Sequence, residues 1–223
     1  MENTFAEKGN IALLADYRKP MKHPLLLELF NHWEELRGNR IAPLRSEIDP
    51  RRIENALEHA FILEQVEGGD PRCRIAGMRL SDLMGMEMRS MPITALIAPE
   101  GRDAFSIILT RMFANPEIVE LHLSAAHSTA LSAEMLLLPM KNDMGTVSRI
   151  LGAVITTGLL ATPPNRFLIT AQKITRIIAS DSPGAHQAMA GFAEPANGFA
   201  ARTDPGTPPE RLRGYLRLVK NDD

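Results

Sequence analysis

The sequence predicts an α+β fold: a five-stranded antiparallel sheet flanked by short helices, with an N-terminal amphipathic helix and a flexible C-terminal tail. Two observations lead to this prediction. Apolar residues recur at helical spacing near the start of the chain, and the later apolar runs are short and bounded by turn residues. Hydrophobic residues make up 44% of the 223 residues, which is enough for the core of one ordinary domain with extensions.

The N-terminal helix is predicted from residue 24, after a loose arm over residues 1–22. Pro24 suits the first helical position because the N–H that proline lacks would have no partner there, and Gly38 suits the helix end. The apolar stripe of this helix consists of Leu26, Leu29, Phe30, Trp33 and Leu36. This stripe can pack on the chain's own sheet or between two copies, so a homodimer through this helix is one expectation.

A second, short helix is expected after Asp49 and Pro50. Aspartate offers a side-chain acceptor for the free N–H groups of a helix start, and proline presets the backbone angle that follows. The face of this helix would consist of Ile53, Ala56, Leu57 and Ala60.

A hairpin and an abrupt change of direction come next. Residues 60–66 and 72–77 are predicted as two strands, with a turn at residues 68–71. The chain then leaves the second strand at a glycine. We expect Ser81 to cap a short helix that Gly85 ends.

A longer helix and three strands complete the predicted domain. The helix lies within residues 99–117 and has a stripe of Phe105, Ile108, Leu109, Met112 and Phe113. The strands are predicted at residues 117–125, 132–140 and 147–158. The middle strand is apolar on both faces, as a central strand should be, and we expect Pro139 to limit its end.

The C-terminal part is expected to be organised differently. We predict domain boundaries of 1–22 for the arm, 23–158 for the domain, 159–182 for one extra strand or helix, and 183–223 for a flexible linker and basic tail. Residues 183–209 are rich in Pro, Gly and Ala, so they cannot bury enough surface to offset the entropy of ordering. The basic tail would dock on a partner or an acidic membrane, stay solvated, or add a strand to the sheet.

Composition narrows the classes of function. The net charge of −2 gives no global field that would favour nucleic acid. We expect no secretory signal and no membrane span, because no basic region precedes an apolar run and no apolar stretch approaches 18 residues. The one cysteine, Cys73, excludes a disulfide within the chain. A cytoplasmic location is the resulting expectation.

The sequence predicts no catalytic residue and no metal site. It lacks the nucleophile elbow, the phosphate-binding loops and the zinc-protease helix motif. A haem would need an axial ligand, for which His59, His122 and His127 are available, but His122 lies on the polar side of its strand. Cys73 lies on a strand and lacks the signature of flavin photochemistry. The cofactor is therefore unknown, with no haem or flavin signature.

Several motif residues resemble a family of single-domain PAS-like proteins of alphaproteobacteria. The pattern is a Trp helix running into Arg-Gly, then Ile-Asp-Pro, then a strand followed by Arg-x-x-Gly-x-x-Leu-x-x-Leu-x-Gly. It is met here by Trp33, Arg37, Gly38, Ile48, Asp49, Pro50, Arg74, Gly77, Leu80, Leu83 and Gly85. The resemblance covers about residues 24–157. It implies a PAS-like fold and a regulatory protein.

The resemblance further implies a non-catalytic sensory module of bacterial signal transduction that acts by protein–protein interaction, with a signalling protein as partner. A small apolar ligand would lie between sheet and helices. The candidate pocket residues are Met84, Phe105, Leu109, Leu121, Met135 and Leu137. The methionines Met78, Met84, Met86, Met88 and Met91 would line the crossing from sheet to helices, as adaptable pocket residues or as core filling. Two alternatives stay open: a small-molecule or lipid carrier, and a cone-shaped α+β isomerase-type enzyme.

Overall fold

The short apolar runs of the sequence form one antiparallel sheet in the computed structural model, which describes residues 23–178. The sheet has six strands in the order β2-β1-β5-β4-β3-β6. The strands are β1 (Ala60–Val66), β2 (Gly69–Ala76), β3 (Glu117–Ala125), β4 (Leu131–Lys141), β5 (Val147–Gly158) and β6 (Phe167–Arg176). The α+β fold is confirmed. The expected arm, linker and basic tail lie outside the described residues.

The sixth strand, β6, lies within residues 159–182, the segment for which the sequence allowed either a strand or a helix. β6 pairs antiparallel with β3 and forms one edge of the sheet, and β2 forms the other edge. The local sequence of β6 does not show which strand it will join, because its partner β3 lies about fifty residues earlier in the chain. The predicted count of five strands was therefore one too low.

Within residues 23–178, three α-helices flank the sheet: α1 (Pro24–Arg37), α2 (Met78–Met84) and α3 (Arg102–Ala114). We call the face that packs against α2 and α3 the front face, and the face that packs against α1 the back face. No helix within residues 23–178 is both long and apolar enough to cross a membrane.

The back face is closed by the apolar stripe of α1. Leu26, Leu29 and Trp33 are fully buried and cluster with sheet residues such as Leu136 and Leu151. The stripe is therefore packed on the chain's own sheet, and a homodimer through α1 would have to use other side chains of this helix.

One buried hydrogen bond joins α1 to the middle of the sheet. The indole Nε1 of Trp33 donates to the backbone oxygen of Pro139 at 2.8 Å. The paired residues of β3 and β4 end at Val119 and Leu137, so Pro139 lies beyond that ladder while β4 continues beside β5. The prediction that Pro139 limits the strand was wrong, because its missing N–H falls where no neighbouring strand needs it.

Two predicted local features differ from the structure. The segment after Asp49 forms two 3₁₀ turns, Pro50–Ile53 and Leu57–His59, in place of one helix, and Ala60 already belongs to β1. Asp49 does cap the first turn, because its carboxylate accepts the Arg51 N–H at 3.0 Å. The expected cap Ser81 instead lies inside α2, which starts directly after β2 and leaves no room for a separate cap segment.

The chain crosses from sheet to front helices at Gly77. The N–H of this glycine donates to the oxygen of Ala60 at 2.8 Å, and a Cβ at this position would lie 2.3 Å from the backbone oxygen of Glu58. Only glycine allows the two segments to approach so closely. Gly85 then ends α2 with φ +66°, as the sequence predicts.

Replacing Trp33 by phenylalanine tests the bond between α1 and the sheet. Trp33→Phe removes the indole donor and leaves a buried carbonyl and a void, so we expect a loss of about 2–4 kcal/mol in the free energy of unfolding. Urea denaturation followed by circular dichroism measures it, since Trp33 is the only tryptophan and its fluorescence is lost. Leu27→Ala, on the exposed side of α1, serves as the control. Equal losses for the two variants would contradict the prediction.

Replacing Gly77 by alanine tests the crossing. The added methyl group collides with backbone, so Gly77→Ala should lower the free energy of unfolding by about 1–3 kcal/mol or more. The matched control is Gly69→Ala at the start of β2, the strand that ends just before Gly77, where the nearest heavy atom to an added Cβ is 3.9 Å away. We expect the control to change stability by less than about 0.5 kcal/mol. Thermal melts of both variants decide the matter, and similar melting temperatures would refute the argument.

Candidate functional site

The six predicted pocket residues lie together in the core between the front face and helices α2 and α3. Each of them is buried to at least 97% and belongs to one apolar cluster, formed with other residues of the sheet and helices. These residues are Met84, Phe105, Leu109, Leu121, Met135 and Leu137. None of them lines the surface grooves described below. A ligand among them would have to displace packed side chains.

The methionine run divides between core and surface. Met84 and Met88 are buried in the front core, and Met91 packs against it partly buried. Met78 and Met86 are exposed. Core filling therefore describes Met84, Met88 and Met91, whereas Met78 and Met86 lie at the surface.

The motif residues of the N-terminal part hold α1 in place. The guanidinium of Arg37 lies over the Trp33 ring, 5.6 Å from its centroid, and is bonded to the carboxylate of Glu34. Arg37 also donates to the oxygen of Arg40 at 2.8 Å, after the chain has turned at Gly38 with φ +54°. These contacts have a structural role, and so does the full burial of Leu80 in α2.

The candidate ligating side chains are spread over the fold. Nδ1 of His59 lies 3.2 Å from the oxygen of Val154, and burial lowers the pKa of His59. His127 is exposed, and His122 is half-buried on the back face. Cys73 is buried on β2, and burial raises the pKa of its thiol to about 12. Within residues 23–178, no three His, Cys, Asp or Glu side chains lie close enough together to hold a metal ion.

On strands β3, β4, β5 and β6, the back face of the sheet carries a group of polar side chains. A shallow depression there has a volume of about 260 Å³, and its lining includes His122, Ser124, Ser132, Glu134, Thr157 and Thr170. Beside them on the same strands, Lys173 is paired with Glu120 at 2.6 Å. We call this area the polar sheet face. Its side chains are half-buried or exposed, so it is available for contact.

The β1–β2 part of the back face carries an apolar groove that the sequence did not predict. Its floor is formed by Ile62, Ile75 and Leu151, and one wall by the two 3₁₀ turns. The wall residues are Ile48, Pro50, Ile53 and Leu57. The volume of the groove is about 440 Å³. Ile75 is 44% exposed in spite of its place in a strand.

Arginines surround one end of this groove. A second depression of about 510 Å³ shares Arg45, Ile62 and Ile75 with it. It is also lined by Arg74, Arg89 and Arg149, together with Ser90 and one carboxylate, Asp143. We call the two together the arginine-rimmed groove. The only signal in the sequence is the isoleucine on the outward side of β2, since the arginines come from segments far apart.

The charges at this end are unequally balanced. The single carboxylate of Glu64 serves both Arg74, at 2.9 Å, and Arg149, at 2.5 Å. Among the described residues, Arg89 pairs only with the exposed Glu87, at 3.6 Å. Arg45 makes no ion pair with any residue of the range 23–178. Positive charge therefore predominates where the apolar groove ends.

The comparisons with known proteins identify the family. A sequence model of the PAS domain matches residues 21–155, more than half of the chain, so the chain belongs to the PAS domain family. Because PAS domains are typically sensory or regulatory, this membership supports such a module.

Among solved structures, the chain is similar to an RNA-binding light-oxygen-voltage receptor, with 17% identity and a TM-score of 0.34. The match covers 50% of this chain and 33% of that one, so the chain spans about a third of the receptor's length. No curated protein matches this chain.

A buried histidine of α1 makes stability dependent on pH. His32 accepts the Asp49 N–H on Nε2 at 3.2 Å, and its Nδ1 has no partner among the described residues. Burial is the main cause that lowers the pKa of His32, with the positive charge of Arg52 next. Glu35 and Asp49 oppose these effects.

Acidification should therefore destabilise the fold. Because the pKa of His32 is lower in the folded protein than in the unfolded chain, the unfolded chain binds the extra proton first, and stability falls as the pH drops below about 6.5. His32→Gln keeps an acceptor for the Asp49 N–H but does not titrate, so its loss of stability between pH 7 and pH 5 should be smaller than that of the wild type. Urea unfolding at several pH values measures this, with the exposed His127→Gln as control. A His32→Gln curve as steep as the wild type would overturn the assignment.

Proposed function

We propose that this chain is a non-catalytic PAS-type module of bacterial, cytoplasmic signal transduction that regulates a signalling protein by binding to it. The observation that carries this proposal is the family membership over residues 21–155. The proposed site of contact is the polar sheet face, because it is open, whereas the front face and the part of the back face beneath α1 are already packed.

The chemistry of the polar sheet face suits a protein partner. It offers hydroxyl groups, an imidazole and the pair of Glu120 with Lys173, which can make several directional hydrogen bonds. Interfaces that form and dissociate are about as polar as the rest of a protein surface, so a polar face suits regulated binding. Ser132 and Thr157 are exposed on neighbouring strands and would lie within such an interface.

The proposed mechanism is a shift between two packings of the helices on the sheet. A partner or ligand that binds one packing better increases its population by its differential affinity. A small apolar ligand would act from the front core, among the six predicted pocket residues. The cluster includes Met84 and Met135, whose flexible side chains allow such rearrangement at lower cost than branched side chains do.

A small-molecule carrier is the second candidate, and the arginine-rimmed groove is the observation that favours it. An isomerase-type enzyme would need an acid–base pair inside the front core, and the residues proposed to line that pocket are all apolar.

Site-specific photo-crosslinking in living cells tests the partner proposal. A photoreactive amino acid at Ser132 should capture a specific signalling protein, because this side chain is exposed on the polar sheet face. The matched control carries the same group at Asp103, an exposed position of α3 on the other side of the sheet. The purified partner should then bind the wild type and lose affinity at least about tenfold for Ser132→Arg, since a bulky charge blocks close approach.

The contrary outcomes are distinct. Equal crosslinks at the two positions, or none at Ser132, would remove the polar sheet face as the contact site. Recovery of the chain with a retained small molecule and without any partner would favour the carrier.

A further inference from the structure

The arginine-rimmed groove is open because the back face is covered unevenly. α1 packs on the part of the sheet formed by β4 and β5, while the 3₁₀ turns stand beside β1 and β2. The floor side chains Ile62 and Ile75 are a directly paired couple of β1 and β2. An apolar strip of the back face, on β1 and β2, is therefore left accessible beside the part that α1 covers.

The dimensions and lining of this groove are those of a small-molecule site. Ligand sites have volumes of about 300–1,000 Å³ and are mostly apolar, with a few polar groups that fix orientation. The apolar part here has about 440 Å³, and its lining is aliphatic except for Phe61, Arg45 and Ser46. Its apolar residues come from three separate segments, so they enclose an occupant from several sides.

The charged end indicates an anionic head group. Guanidinium groups bind carboxylate and phosphate through paired hydrogen bonds, and such charge-assisted bonds are the strong ones. Arg45 lines both parts of the groove and is not paired within residues 23–178. Arg74 and Arg149 share one carboxylate and so retain donors for a second anion.

We propose that the arginine-rimmed groove binds an amphiphilic organic anion. Its apolar body would lie on Ile62 and Ile75, and its carboxylate or phosphate would lie at Arg45. This site is separate from the front core and from the polar sheet face. It requires no partner protein, so it does not depend on the proposed contact at the polar sheet face, and it names the class of ligand that the carrier alternative would take.

A ligand in the groove would bridge two separate parts of the fold, the 3₁₀ turns and the edge strand β2. Its body would contact the 3₁₀ turns on one side and β2 on the other, and Gly77 at the end of β2 also lines the groove. Binding should therefore stabilise the folded protein by an amount that grows with the logarithm of 1 + L/Kd, where L is the free ligand concentration.

Decanoate, with 1-decanol as its neutral counterpart, is the probe for the full chain. Isothermal titration calorimetry should give saturable binding of one decanoate, and decanol should bind at least tenfold more weakly because it lacks the anionic head. Arg45→Gln should raise the Kd for decanoate about tenfold, the size expected from one charge-assisted hydrogen bond. Arg51→Gln, an exposed arginine outside the groove lining, should change it less than twofold.

The groove floor is tested with a matched pair of isoleucines. Ile75→Glu should abolish saturable binding, because it places a negative charge on the apolar floor. Ile107→Glu is the control, since Ile107 is 66% exposed on α3 and lines none of the grooves described. If circular dichroism shows that Ile75→Glu is unfolded, Leu57→Glu replaces it, because Leu57 is 40% exposed in the groove wall.

Three results would overturn the proposal. The first is the absence of saturable decanoate binding to the full chain. The second is equal affinity for decanol, which would mean that the arginines recognise nothing. The third is an unchanged Kd in the folded groove variants, which would place decanoate elsewhere, for example in the front core. None of these results bears on the crosslinks at the polar sheet face.

Discussion

The burial of β4 and β5 on both faces is the constraint on which the rest of this structure depends. Leu136 and Leu138 point to one side of β4 while Met135 and Leu137 point to the other, so both faces need an apolar cover. The front cover is supplied by the helical excursion between β2 and β3, and the back cover by α1. The hydrogen bond from Trp33 to Pro139 fixes the position of α1, since the indole donor and the carbonyl acceptor are both buried.

The elements in which apolar residues recur at a regular spacing could be predicted closely from the sequence. The stripe of α1, the hairpin β1–β2 and the bounds of β5 are local patterns, and local patterns are what a sequence displays. The elements that differed depend on neighbours that are distant in the chain. Pro139 is tolerated within β4 because the pairing of β3 with β4 has already ended at Val119 and Leu137, and β6 is a strand because β3 offers a free edge. No local signal carries either fact.

The candidate sites divide in the same way. The six residues predicted for the pocket lie in one buried cluster, because each of them is on the inward stripe of its own element. It did not predict the arginine-rimmed groove, because Arg45, Arg74 and Arg149 belong to a 3₁₀ turn and two strands that only the folded sheet brings together. The polar sheet face was visible in the alternation of β3, where His122 and Ser124 oppose the buried Leu121 and Leu123.

The edge strand β2 has a consequence that follows from strand geometry alone. Cys73 points into the packed interior and Ile75 points into the outer groove, with a bulge between their pairing positions on β1. The two compartments are therefore separated by the thickness of one backbone. Close-packed interiors transmit small displacements instead of absorbing them. A molecule bound in the outer groove that displaced β2 would therefore also shift the side chains of the front core, although it would not enter that core.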